Sequence, residues 1–390
     1  MTKQTQGLTR NISRRAALKG LSATGAVALC TPFIGKAEAA TLELRGLIWE
    51  PYNQRDMVKA FEKEHGVKVS FSYFDGNAEA FNQFRSGGTK DFDMVMADGH
   101  WPKTYFENEL TQPLDSAKLP NLANVFEGFQ PPQSPLHMVG DTRIAAPNCW
   151  GGIDVIYNKS MMSDEDAHTM WALFNPDYAG KLTTMARYEE TIAWAGILVA
   201  NELGTINDAR PDGKAFNPYV LTDEELVRCT EILIEQKKLL LTRYQDLDMM
   251  TRLLKTRQVA AGPGGTLSYA PLYYDFVDGK QDWEPGYALD SKEGGLAWID
   301  TWLISSGVEH DEVLEVAHKW IDTFLTKENM ANIVKETGFS STVDCREHLS
   351  DLEIGATLMD QTDAMASKYM FDTPSSPEAW EKVWSTVEAS

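Results

Sequence analysis

Phe61-Glu62-Lys63-Glu64-His65-Gly66-Val67-Lys68-Val69-Ser70-Phe71 changes its periodicity at a single residue. Before Gly66, the spacing predicts an amphipathic helix over Gln54 to His65 with Met57, Val58 and Phe61 on one side; after it, apolar and polar residues alternate as in a half-buried strand. Glycine just past the last turn is a helix stop. Outward from this junction, Leu42 to Trp49 reads as a strand, Asn77 to Arg85 as a helix and Phe92 to Met96 as a further strand. A βαβαβ opening requires a parallel or mixed sheet with helical crossovers, hence an α/β fold. Further on, after the Pro-rich stretch Gln130 to Pro135, Ala146 to Gly152 reads as a boundary ahead of a strand Val155-Ile156-Tyr157. Asp223 to Leu241 reads as a long helix, and the polar segment Ile206 to Pro218 as an inserted surface loop. There is no internal repeat.

A second stretch carries the chemistry. In Lys292-Glu293-Gly294-Gly295-Leu296-Ala297-Trp298-Ile299-Asp300, the glycine pair opens an apolar, aromatic run, Leu296 to Leu303, that reads as a buried strand. Residues i and i+2 of a strand point to one face, so Trp298 and Asp300 offer an indole and a carboxylate to the same volume. An ammonium ion fits that pair: cation–π attraction is worth about 0.5–2 kcal/mol and a charge-assisted hydrogen bond about 1.5–3 kcal/mol. The plainer alternative is a core tryptophan beside an aspartate that caps a turn. Local sequence alone favours it, because isolated aromatics usually serve packing.

The amino terminus bears on location. Ser13-Arg14-Arg15-Ala16-Ala17-Leu18-Lys19, an apolar stretch from Leu21 to Ile34, and the small-x-small site Ala37-Glu38-Ala39 read together as a twin-arginine export signal over residues 1–39. Ala17 stands where an aromatic is more usual. The apolar stretch is too short and polar to span a bilayer, and Leu29 fits poorly ahead of Cys30 as a lipoprotein site, so the expected location is the periplasm. The chain holds 36 Lys and Arg against 57 Asp and Glu, a net charge of −21; removing six basic and one acidic signal residue leaves 30 and 56, a net −26. That acidity argues against nucleic acid and anionic membranes and steers cationic small ligands inward, although it also serves solubility. Cys149, Cys229 and Cys345 remain after cleavage, without metal or redox spacing; they allow one disulfide, whose pairing stays open. The seven histidines are scattered, and His310 and His318, two turns apart, lack carboxylates to complete a metal set.

The order of these pieces resembles the periplasmic spermidine/putrescine-binding proteins of ABC importers, within the class II solute-binding superfamily. The matching segments are Trp49-Glu50-Pro51-Tyr52, Phe61 to Val69, Phe92 to Met96, Ala146-Pro147 with Trp150-Gly151, Pro176 to Leu182, Lys292 to Gly295 with Trp298 and Asp300, and Thr337-Gly338-Phe339. They run over most of the mature chain, and the Lys-Glu-Gly-Gly-x-x-Trp-x-Asp piece is specific to the polyamine branch. The resemblance implies two α/β lobes joined by two crossing strands, near Pro147 to Gly152 and near Gly295 to Trp298, that close as a hinge on a ligand between them. Lobe one is then 41–148 with 299–343, and lobe two 149–298 with 344–390. The implied partner is an inner-membrane ABC permease, with the protein a monomer that carries no cofactor.

Carried across residue by residue, the resemblance sets Trp49 and Tyr52 as an aromatic pair after the first strand, Trp298 and Asp300 on an amine, and Glu190 on a family acid. The departures alter the chemistry. Phe339 stands for a tyrosine, Asp98 for a small hydroxyl residue, His100 and Trp101 for tyrosines, Arg187 for an acid, and Gly265 for a stacking tryptophan. If Arg187 faces the cleft, it opposes a diamine and would grip a carboxylate, which favours a zwitterionic amino-acid-derived, betaine-like or opine-like ligand. If it turns outward or pairs with Glu189 or Glu190, the polyamine-like ligand stands. Net charge with Asp98, Glu190 and Asp300 tips the balance toward the latter. An enzyme is not expected, since no GxGxxG, Walker A, GxSxG or metal-spaced histidine set occurs. Ferric iron is a remaining alternative through Tyr273-Tyr274, a pair that also reads as a packed helix face.

Overall fold

The computed structural model describes residues 42–210 and 213–390; the export signal expected over 1–39 lies outside the described residues. The opening unit is the expected βαβαβ: Glu43–Ile48, Arg55–His65, Lys68–Tyr73, Asn77–Arg85 and Met94–Asp98. Gly66 ends the first helix in the left-handed region at φ 65°, donating its N–H to Glu62. Glu43–Ile48 lies between Lys68–Tyr73 and Met94–Asp98, parallel to both.

Two long strands join this layer to a second one. Met94–Asp98 pairs antiparallel with the far half of Gly295–Ser305, which pairs antiparallel with Ala146–Asn158. Ala146–Asn158 continues into the second layer, antiparallel to Ala261–Gly264, and that strand leads through parallel pairs to Leu182–Met185 and Leu240–Tyr244. The result is a curled, 12-stranded mixed sheet in a two-lobed fold. The expected boundary at Ala146 to Gly152 is therefore corrected. Pro147, Gly151 and Gly152 read as breaks, yet the segment is one buried 13-residue strand, its register with Gly295–Ser305 shifting between Ile299 and Thr301. The shift accommodates the proline, which has no N–H to give to a ladder.

In the first lobe, Asp311–Phe324 lays Trp320 and Phe324 against Trp302 of the second long strand and Phe61 of the first helix, with Phe61 and Trp320 edge-on at 5.1 Å. Buried aromatics of this size each contribute about 2–3 kcal/mol by area. In the second lobe, Tyr188–Leu203, Asp223–Leu239 and Pro377–Ala389 pack on one another. The loop expected on the surface over Ile206 to Pro218 is partly inside: Arg210 is buried and pairs with Glu225 at 2.8 Å, while its guanidinium covers Phe216. Cys149, Cys229 and Cys345 are all buried and free, so the disulfide the sequence allowed is not formed. Among the described residues no helix is long and apolar enough to cross a membrane.

Candidate functional site

The short helical turn Glu50–Tyr52 follows the first strand and drops Tyr52, fully buried, onto the second long strand, where its hydroxyl donates to Asp300 Oδ2. Asp300 is the direct cross-strand partner of Asp98, the last residue of its own strand. Like charges opposite one another in a ladder repel. Asp98 is held from the other side by Asn77 at the start of its helix, which donates Nδ2 to Oδ1 at 2.6 Å and accepts the Asp98 N–H at 3.2 Å. Asp98 and Asp300 are 9% and 5% exposed, and among the described residues neither has an ion-pair partner.

Burial pushes the Asp98 carboxyl up to about 7, with the Glu190 carboxylate adding to the rise and Asn77 opposing it. Burial, and then Asp98, drives Asp300 well above the usual carboxylate range, against the pull of the Tyr52 hydroxyl. Glu190 comes from the other lobe, in the first turn of Tyr188–Leu203; burial raises it too, and its Oε2 is enclosed without a hydrogen-bond partner. The Glu190 carboxylate thus lies close enough to Asp98 to add to its rise.

An aromatic wall adjoins them. Trp298 lies opposite Gly151 on the other long strand, and a Cβ at Gly151 would meet the indole Cζ2 at 2.6 Å, so only glycine lets the ring lie flat on that backbone. Phe339, buried, meets Trp298 edge-on at 5.2 Å and Tyr52 at 5.6 Å. Trp298 and Asp300 therefore reach the same cluster through Phe339 and Tyr52, as their spacing predicts.

Other expected residues lie at the margin. Trp49 packs on Phe74 at 4.1 Å. His100 precedes the helix Trp101–Glu107 and lines a separate hollow with Lys103, Lys214 and Asp372, where burial lowers its pKa. Arg187 is 72% exposed and sits 3.7 Å from Glu190, the partnering the sequence left open. Gly265 caps Thr266–Val277, and a Cβ there would stand 3.3 Å from the Gly152 carbonyl and 3.7 Å from Ile153. Tyr273, on that helix, packs against Tyr269 at 5.6 Å and faces Gly355, and among the described residues no group of three or more His, Cys, Asp or Glu could hold a metal ion.

Sequence reasoning missed Asn77, whose only signal was an amide at a helix start beside the end of a strand, and Tyr219, a buried phenol whose pKa burial raises, with Glu190 and Asp98 adding to the rise. It also left Glu293 without a role. Its carboxylate accepts from Thr169 Oγ1 at 2.7 Å and from the Met170 N–H at 2.8 Å, so this member of the motif holds the turn rather than a ligand.

A profile described as "Bacterial extracellular solute-binding protein" matches residues 56–344. The putrescine-binding periplasmic protein of Escherichia coli (strain K12) is 30% identical over 177 residues, 42% of this chain; the match spans 45% of that relative's length, less than half. Among solved structures, a spermidine/putrescine ABC transporter substrate-binding protein from Streptococcus pneumoniae superposes with a TM-score of 0.70 at 16% identity, over 90% of this chain and 99% of that one. A binding protein of A. tumefaciens B6 in complex with glucopine superposes with a TM-score of 0.57 at 14% identity, over 89% of this chain and 98% of that one.

Proposed function

The chain belongs to the bacterial extracellular solute-binding proteins, and from that premise we propose that it is the periplasmic component of an ABC importer, capturing a polyamine or polyamine-like amine and delivering it to a membrane permease. The observation that carries this reading is the cross-strand pair Asp98 and Asp300, the second joined through Tyr52 to an aromatic wall and the first felt by the Glu190 carboxylate, with no built-in cation on the two aspartates among the described residues. Buried carboxylates are costly unless paired, and a ligand ammonium supplies the missing charge while Trp298 covers its methylene carbons. The lobes are 41–148 with 299–343 and 149–298 with 344–390, hinged on the long strands near Trp150 and Gly295, and export runs through the twin-arginine pathway. The protein acts as a monomer and catalyses no reaction.

A second reading has its own support: exposed Arg187 is held only at 3.7 Å by Glu190, free to swing toward a ligand carboxylate, and an opine-bound protein shares the fold. Isothermal calorimetry with putrescine, spermidine and an opine separates the two. Micromolar binding of a polyamine supports the first reading; its absence beside tight opine binding overturns it.

A further inference from the structure

We propose a second small-molecule site behind the crossing strands, suited to an amine with an apolar body, whose occupancy is coupled to closure of the front cleft. Directly paired residues of a ladder share a face. The pair Trp298 and Gly151 marks the front of the two long strands, so the next pair, Ile299 and Trp150, marks the back. On that back lies a cavity of about 690 Å³ whose floor includes Ile299. Its walls come from Phe126, Phe129 and Leu136, ahead of the first long strand, and from Met365 and Met370 of the C-terminal segment. Phe129 packs on Trp150 at 5.7 Å, and Lys368–Met370 pairs in parallel with Gly295 to Ala297, so two separate segments of the chain, one ahead of the first long strand and one C-terminal to the second, are fastened to neighbouring stretches of the same ladder. The volume falls in the range that small ligands occupy.

The charge in the cavity favours a cation. Glu127 and Asp363 stand in its lining, and the lysine there, Lys368, has its ammonium buried against Asp154. Phe126 already carries the Arg346 guanidinium on its ring at 5.1 Å. The cavity also accompanies an arrangement in which Asp98 and Asp300 are nearly covered in front. Closing the front of a clamshell draws the rear walls apart, so an occupant matched to this opening binds the closed form better than the open one. Linkage then makes each ligand tighten the other.

The probe is phenethylamine, titrated into the full chain by NMR and calorimetry. It should bind the unmodified protein and the front-face variant Trp298→Ala equally well. It should bind at least about fivefold more weakly to Ala366→Trp and to Met365→Trp, adjacent lining residues whose enlargement fills the cavity from one wall, and 2-phenylethanol should bind more weakly than the amine. Saturating phenethylamine should lower the Kd of putrescine about fivefold, within the usual span of coupling between sites. Loss of phenethylamine binding in Trp298→Ala, undiminished binding in both filled variants, no preference over the alcohol, or an unchanged putrescine Kd would each overturn the proposal. If putrescine itself fails to bind while phenethylamine behaves as stated, the front-site reading and the coupling to it both fail, and only the rear site stands.

Discussion

Asp154 and Asp300 are both buried acids, one on each crossing strand, and the chain provides for them differently. Asp154 receives the Lys368 ammonium at 2.6 Å, both side chains fully buried, and the same ammonium donates to the Leu289 carbonyl. Asp300 receives a tyrosine hydroxyl and faces another carboxylate. The first arrangement has its counterion within the chain, on Oδ1, while Oδ2 stays buried without a hydrogen-bond partner, and it fastens the C-terminal strand to the crossing strands. The second has no counterion within the described residues, so burial and Asp98 favour its protonated form until a cation arrives from outside. A buried acid with its own counterion reads as structure; one with neutral donors and like-charged neighbours reads as a receptor for a cation.

The largest test breaks the complete pair. Lys368→Met leaves Asp154 buried with its counterion removed and should cost about 3–5 kcal/mol in chemical denaturation. Adding Asp154→Leu should restore a good part of that loss, because an apolar pair of similar volume can replace a buried ion pair.

Next in size is the incomplete site. Asp300→Asn should weaken binding of the cationic ligand about 100-fold, the scale of a charge-assisted hydrogen bond, while leaving the unliganded fold as stable as before or more so. Trp298→Ala should cost about thirtyfold in affinity at most, the cation–π share. Equal losses of stability in Lys368→Met and Asp300→Asn would erase the distinction between the two acids.

Acid titration sharpens the same contrast. The Asp98 carboxyl is raised from 3.8 to about 7 in the folded protein, so between those values the fold holds a proton the unfolded chain has released. Unliganded stability contributed by Asp98 should therefore be present below that window and fall as pH rises through it, and Asp98→Asn should flatten the slope. Ligand affinity should run the other way, tightening toward pH 8 as the carboxylates ionise, with proton release visible in calorimetry as a dependence on buffer. The smallest effect belongs to Arg187. Exposed and loosely paired, it should change stability by less than about 0.5 kcal/mol when replaced by Ala. A concurrent loss of affinity larger than tenfold for an opine would move the functional reading toward a zwitterion.

Much of this was legible in the sequence because it is local. The helix Asn77–Arg85 begins and ends where its pattern predicts, and the strand spacing of Trp298 and Asp300 brings both to one cluster. What escaped is long-range or concealed by residue type. Ala146–Asn158 passes through Pro147 and a glycine pair that locally argue for a break, and only the register shift against Gly295–Ser305 explains why a strand survives them. The Lys368–Asp154 pair joins residues 214 apart, and the burial of Arg210 depends on Glu225 in a helix that follows its loop. The orientation of Arg187 was a choice between outward and inward, and no spacing in the sequence decides between them.

The crossing strands have a mechanical consequence. Each runs without a break, 13 and 11 residues in Ala146–Asn158 and Gly295–Ser305, and the first passes on into the second layer. At about 3.3 Å per residue, such a pair is a ribbon tens of ångströms long. A ribbon of this kind flexes along its length like a leaf spring instead of swivelling on a pin. On the proposed closure of the lobes, each peptide unit would take up a small share of the rotation, and no single bond would have to leave an allowed conformation.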